Sequence, residues 1–161
     1  MIGYLALGLA PAFIFTFGYV GGLFCWIVAP SRLPLRKIAV PYVITLLLFI
    51  LHKVEEREMD FFPALAELTG VPVPEEMSPL VIILYAIGAC WLLIPFLIWK
   101  RSQLGYYLAW TFFCSMGLTE LAHFIFPLFT GTPYGYFPGM WSVIALAPVG
   151  WWGMYRLSKG F

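Results

Sequence analysis

The chain has 161 residues, of which 62% are hydrophobic and only 11% charged, with a formal net charge of +1 and a mean hydropathy of +0.90. A soluble domain is about 45–50% apolar and roughly 25% charged, and a domain of this size cannot hide such an excess. A soluble globule is therefore excluded in favour of an integral membrane protein, and the near-neutral charge excludes a nucleic-acid partner, which needs a basic face.

Five apolar stretches reach the length of about 20 residues that spans a bilayer as a helix. The first covers about residues 4–28. It has no basic segment before it and is too long for the core of a signal peptide, so it is read as a retained transmembrane helix. It stops at Ala29-Pro30 and carries Gly18-x-x-x-Gly22. That spacing lets helices approach closely, although such glycines are more often ordinary transmembrane residues. The second helix covers about 37–60. Its apolar part, Ile38–Leu51, is short, and the helix continues through His52-Lys53-Val54-Glu55-Glu56-Arg57-Glu58-Met59-Asp60. Pro41 falls in the first turns, where proline is tolerated.

A connector over 61–78 is punctuated by Pro63, Gly70, Pro72 and Pro74. Phe61–Leu68 within it reads as a short interfacial helix, a lid over the outer end of the bundle. The remaining helices cover about 79–99, 103–127 and 138–155, with kinks expected at Pro95 and near Pro148. Cys25, Cys90 and Cys114 are isolated in apolar runs and read as small buried residues. The expectation is one all-α domain over 1–161, a polytopic bundle of five transmembrane helices.

The basic residues set the orientation. Arg32, Arg36, Lys37, Lys100, Arg101, Arg156 and Lys159 all fall at one end of the predicted bundle. The positive-inside rule makes that end cytoplasmic. The N-terminus is then outside and the C-terminus cytoplasmic, and the acidic residues lie towards the outer side.

Two histidines and several acids fall at one depth. His52 precedes Glu55 by three residues and Glu56 by four, so the three share a helix face, while Lys53 and Arg57 are expected to point elsewhere. On the fourth helix Glu120 and His123 are three apart and share a face in the same way. His52 lies about 22 Å, and Glu120 about 25 Å, from the cytoplasmic end of its helix at 1.5 Å per residue. The pairs can therefore meet in the outer part of the hydrocarbon. Glu58 and Asp60 read as solvated charges. Glu120 does not, because apolar residues flank it on both sides, and a lone buried carboxylate is costly unless paired or neutral.

A structural polar lock between the second and fourth helices is the bland explanation, and a functional site is the favoured one. Two chemistries suit the site. In one, His52, Glu55, Glu56, Glu120 and His123 act as acid–base groups on an apolar substrate. In the other, His52, Glu56, Glu120 and His123 ligate zinc or non-haem iron. Glu120-x-x-His123 has the spacing used in di-iron bundles, which carry more carboxylates in all. Tyr134, Tyr136 and Trp141 precede or open the fifth helix at the same level. They read first as an aromatic belt, and functionally as walls of a substrate pocket.

His52-x-x-Glu55-Glu56, the downstream His123 and the turn Tyr136-Phe137-Pro138-Gly139 together resemble the HXXEE-motif membrane proteins, small bacterial and archaeal proteins of no established function. The likeness covers about 38–147, and the acidic run after Glu56 departs from it. It implies residence in the cytoplasmic membrane of a prokaryote. In kind, the paired His and Glu groups are also similar to the emopamil-binding-protein class of the EXPERA superfamily, in which such groups move a double bond. That likeness implies isomerase-type chemistry.

The leading expectation is a membrane-embedded enzyme, an isomerase or a metal-dependent enzyme. It would act on a lipid or apolar small molecule from the outer leaflet. The alternative is a non-catalytic metal- or ligand-binding protein, self-associated or an accessory subunit of a larger membrane complex. Ion conduction fits less well, because the inner half of the bundle carries no charges.

Overall fold

Helix is the regular structure throughout the described residues, 9–75 and 78–160 of the computed structural model. The opening residues of the first predicted helix lie outside them. α1 covers Leu9–Val28, α2 Leu35–Glu58, α3 Phe61–Thr69, α4 Pro79–Cys90, α5 Ile94–Trp99, α6 Gln103–Cys114, α7 Ala122–Ile125 and α8 Met140–Ser158. Three of the described spans are long and apolar enough to cross a membrane: Leu35–Glu58, Val81–Trp99 and Gln103–Phe129. Phe24, Leu47 and Phe96 stand exposed on outer faces, as lipid-facing side chains do.

α2 lies against α8, and α1 against α6 and its continuation. The core between them is built from Ile38, Tyr42, Trp91, Ile94, Phe112, Phe113 and Leu146. The Gly18/Gly22 pair turns out to be a contact surface. A Cβ at Gly22 would lie 2.5 Å from Thr111 Cα, and one at Gly18 would lie 2.5 Å from Ser115 Oγ. Only bare glycine lets the backbones of α1 and α6 come this close.

α2 and α8 run through Pro41 and Pro148 without a break, whereas the helix at Pro95 is interrupted. Pro41 has no N–H to give the Lys37 carbonyl one turn back. Arg156, near the end of α8, donates Nε and Nη2 to that carbonyl at 3.2 and 3.0 Å. Pro95 likewise has no N–H for the Trp91 carbonyl, and the chain tightens into a 3₁₀ turn over Trp91–Leu93, between α4 and α5, in which Ile94 N–H donates to Trp91 O instead. The Tyr42 hydroxyl donates to Trp91 O at 3.0 Å. Arg32 N–H donates to Gly160 O, and the Tyr106 hydroxyl to Leu33 O. The loop before α2, the start of α6 and the end of α8 therefore meet at one end.

The fourth predicted helix is not regular. α6 passes into a π-helical segment over Ser115–Thr119. Glu120 N–H donates to the carbonyl five residues back, Ser115 O, at 3.2 Å. Trp151 Nε1 donates to Gly117 O inside the segment. The chain then tightens. His123 N–H donates to Glu120 O and Phe124 N–H to Leu121 O, each spanning three residues. Single-turn π segments of this kind mark functional sites often, and this one sits directly before Glu120.

Asp60 takes a left-handed conformation, φ 57°, and turns the chain from α2 into α3. Leu65 of α3 is buried with Ala122, Phe126 and Phe137, and Phe61 and Phe62 pack at its edge. α3 thus caps the end of the bundle opposite the basic loops. This is the position expected of the predicted lid.

Candidate metal centre

At that capped end, His52 and Glu56 from α2 meet Glu120 and His123. Four ligand atoms, one from each residue, lie within 4.8 Å of one another. They alternate around a ring. His52 Nε2 is 3.1 Å from Glu56 Oε1 and 3.3 Å from Glu120 Oε2. His123 Nε2 is 3.4 Å from that Glu56 oxygen and 3.3 Å from that Glu120 oxygen. Both histidines are buried, and the carboxylate side chains keep only 11% and 16% of their surface exposed.

The π segment is what completes this ring. His52 and Glu56 are four residues apart on a regular helix and stack one turn over the other. Glu120 and His123 are three apart on a stretch with 3₁₀-type bonding, where residues at that spacing eclipse. Each pair therefore presents both polar tips to the same point. The depth match read from the sequence becomes contact.

The other nitrogen of each ring is held. His123 Nδ1 lies 2.6 Å from Pro138 O, which can only accept, so Nδ1 carries the proton. His52 Nδ1 lies 2.9 Å from Ser142 Oγ. The Ser142 hydroxyl gives its own hydrogen to Gly139 O at 3.1 Å. It is left to accept from His52 Nδ1–H. With both Nδ1 atoms protonated, both Nε2 atoms turn towards the carboxylates. A bare nitrogen lone pair between two carboxylate oxygens is repelled by both. The repulsion is relieved either by a second proton on each ring, whose Nε2–H then donates to the carboxylates, or by one cation shared among the four atoms.

His52 Nε2 shows which kind suits it. It is fully buried and makes no hydrogen bond of acceptable angle, although two carboxylate oxygens lie within 3.3 Å. It aims between the oxygens rather than at either. An ion there would be bonded by all four atoms. Two ligand atoms sharing one ion at bond lengths of about 2.0–2.2 Å stand roughly 3.0–3.5 Å apart; the four ring edges fall in that range, and every pair, diagonals included, lies within 4.8 Å. Two imidazoles and two carboxylates suit zinc or non-haem iron. The second carboxylate pair of a di-iron site is missing from the cluster, so the donor set fits one ion.

Other residues stand around this ring. Lys53 does not point away. Its Nζ lies 2.6 Å from Glu56 Oε2 and balances the oxygen that faces outwards. Glu55 is outside the ring. Its carboxylate accepts from the Tyr136 hydroxyl at 2.8 Å, from Trp141 N–H at 3.0 Å and from Ser142 N–H at 2.8 Å. Tyr134, Tyr136 and Trp141 are exposed, and their hydrogen bonds and stacking run to other residues than the four of the ring. The Tyr134 hydroxyl donates to Phe124 O, and Tyr136 stacks on Trp141. Loss of solvent and the Glu55 carboxylate push the Tyr136 phenol up to about 12, so it remains a donor.

Aromatic side chains around the ring come from the predicted connector, the end of the predicted fourth helix and the turn before the fifth. Phe61, Phe126 and Phe137 pack around the His123 ring, with centroids 5.3–6.2 Å away. Gly139 lies against both rings: a Cβ there would fall 2.6 Å from His123 Cε1 and 2.8 Å from His52 Cε1. Its φ of 97° also belongs to glycine. The sequence signal for Gly139 was the Pro138-Gly139 dipeptide, which marks a turn but not its contact with two histidines.

No protein-family model, no curated protein and no solved structure matches the chain, so neither the HXXEE-motif family nor the emopamil-binding-protein class is matched.

Proposed function

We propose that the chain is a five-helix integral membrane metalloprotein in which His52, Glu56, Glu120 and His123 hold one zinc or non-haem iron ion near the outer face. In this reading it is an enzyme acting on a lipid or apolar small molecule. The carrying observation is His52 Nε2, buried and without a hydrogen bond, yet 3.1 and 3.3 Å from two carboxylate oxygens. The gathering of basic loops at the opposite end supports an outside N-terminus and a cytoplasmic C-terminus. The apolar outer faces support residence in a membrane, here assigned to the cytoplasmic membrane of a prokaryote.

When bound, such an ion supplies Lewis-acid polarisation. The chain supplies the rest: two rings with fixed Nδ1 protons, a carboxylate at the rim in Glu120, and Lys53 as a charged donor beside Glu56. An apolar groove of about 820 Å³ lies between α1, α3 and Leu118–Phe129, lined by sequence neighbours of Glu120 and His123 but by none of the four ring residues. Thr119 and Ala122, which flank Glu120 and His123, belong to its wall. It supports an apolar ligand as the substrate.

One observation favours a non-catalytic metal-binding role. Four protein ligands is the count of a closed structural site, whereas catalytic zinc usually keeps one position open. Against it, structural zinc sites are built largely on cysteine, and this ring contains none.

The test is elemental analysis of the purified full chain after loading with Zn²⁺ or Fe²⁺. One equivalent of metal is expected, lost in His123→Ala and in His52→Ala. Absence of stoichiometric metal in the unmodified protein would refute the metal reading. X-ray absorption then separates the roles, with an exchangeable fifth ligand in an enzyme and four protein ligands alone in a structural site.

A further inference from the structure

The motif His52-x-x-Glu55-Glu56 contains two adjacent glutamates, and they point in different directions because successive helix residues are about 100° apart. Glu56 faces the ring of ligands. Glu55 faces the first turn of α8. That turn starts at Gly139, which has no side chain to cap it. The free N–H groups of a helix start need acceptors, and a carboxylate there also meets the favourable end of the helix dipole. Glu55 provides both from a different helix, accepting from Trp141 N–H and Ser142 N–H.

The same turn holds the histidines. Ser142 Oγ receives His52 Nδ1–H, Gly139 O receives the Ser142 hydroxyl, and Pro138 O receives His123 Nδ1–H. We propose that Glu55 is a positioning residue for the metal centre: it fixes the start of α8, so that Ser142 orients His52 and leaves Nε2 free to ligate. This rests on the metal reading above. Glu56 binds, and Glu55 aims. Glu55 touches no ring atom, so its effect passes through Ser142.

The test uses the purified full chain with Co²⁺ as the probe. E55Q places an NH₂ group where only acceptors are satisfied, and S142A removes the hydroxyl. Each is expected to weaken Co²⁺ binding about 10–100-fold, the range for lost partners of metal-bound histidine, and to change the visible Co²⁺ spectrum. S142T keeps the hydroxyl and is expected to bind as the unmodified chain does. The double variant E55Q/S142A is expected to be no weaker than the weaker single variant, because both act on one contact. If E55Q does not fold, E55D retracts the same charge by one methylene and is expected to show the same loss.

Multiplication of the two single effects in the double variant would overturn the proposal, as would unmodified Co²⁺ affinity in E55Q. A second readout needs no metal. In ¹⁵N-histidine spectra of the metal-free protein, the hydrogen-bonded His52 Nδ1–H signal is expected in the unmodified chain and in S142T, and is lost in E55Q and S142A. If that pattern appears while Co²⁺ fails to bind, the metal reading fails and the positioning role stands. If the signal persists in E55Q, the positioning role fails whatever Co²⁺ does.

Discussion

Gly139→Ala is the sharpest test of how closely the turn before α8 governs the site. Two effects act at once. At φ 97° an alanine is strained, at about 1–2 kcal/mol. Its Cβ would also lie 2.6 Å from His123 Cε1 and 2.8 Å from His52 Cε1, well inside the roughly 3.5 Å of ordinary carbon contact. Both rings must retreat, and overpacking of this kind costs about 1–3 kcal/mol. The expected destabilisation is therefore about 2–5 kcal/mol, with metal affinity down about 10–100-fold as the rings leave their Nδ1 partners. Gly131→Ala is the control. Gly131 has φ 70° but nothing within 4 Å of its Cβ position, so it carries the backbone strain alone. Thermal melting in detergent and Co²⁺ titration read both effects. If the two variants melt together and bind Co²⁺ alike, the contact between Gly139 and the rings has no energetic weight and the reasoning is wrong.

Two further outcomes come from the packing. Gly22→Ala forces α1 away from the Thr111 backbone and is expected to destabilise by about 1–3 kcal/mol. Gly88→Ala meets only the Phe49 ring at 3.8 Å and is expected to be neutral or to stabilise by up to about 1 kcal/mol through helix propensity; equal melting temperatures for the two would refute the close approach of α1 and α6. Leu65→Ala opens a cavity in α3 above the ring, with a loss of at most about 2–5 kcal/mol. It is also expected to speed metal release to a chelator, and an unchanged release rate would show that α3 does not cover the site.

Much of the fold was legible because the chain is written in long apolar runs broken by proline and glycine. α2 and α8 fall within a few residues of the predicted second and fifth helices. The meeting of His52 and Glu56 with Glu120 and His123 was reached by counting rise per residue along two helices. The count worked because depth in a helix bundle is nearly a function of sequence position. What the count could not give is direction. It treated 103–127 as one straight helix, whereas the π segment at Ser115–Thr119 rotates Glu120 and the residues after it, and no composition rule marks it. For the same reason the sequence pattern groups Glu55 with Glu56 and points Lys53 elsewhere, whereas Glu55 turns to α8 and Lys53 pairs with Glu56. Which of two adjacent residues faces a partner depends on where that partner helix stands. The roles of Ser142, Gly139 and Phe137 were hidden because a turn's packing partners are set by tertiary structure.

The prolines carry a consequence for assembly. In lipid, apolar helices gain little from touching each other rather than the solvent around them, so greasy cylinders can slide and rotate with small penalty. A proline spoils one carbonyl at a known height, and a carbonyl left without its helical donor favours a neighbour that supplies one. A neighbour that brings a donor to that height helps to mend it. Arg156 answers Pro41 through Lys37 O, and Tyr42 answers Pro95 through Trp91 O. Each defect thus acts as an address, naming one partner helix and one vertical register. α2 is addressed twice, once as the spoiled helix and once as the donor. It is also the helix that carries His52 and Glu56, so the defects at its other end help set the height at which the two halves of the site meet.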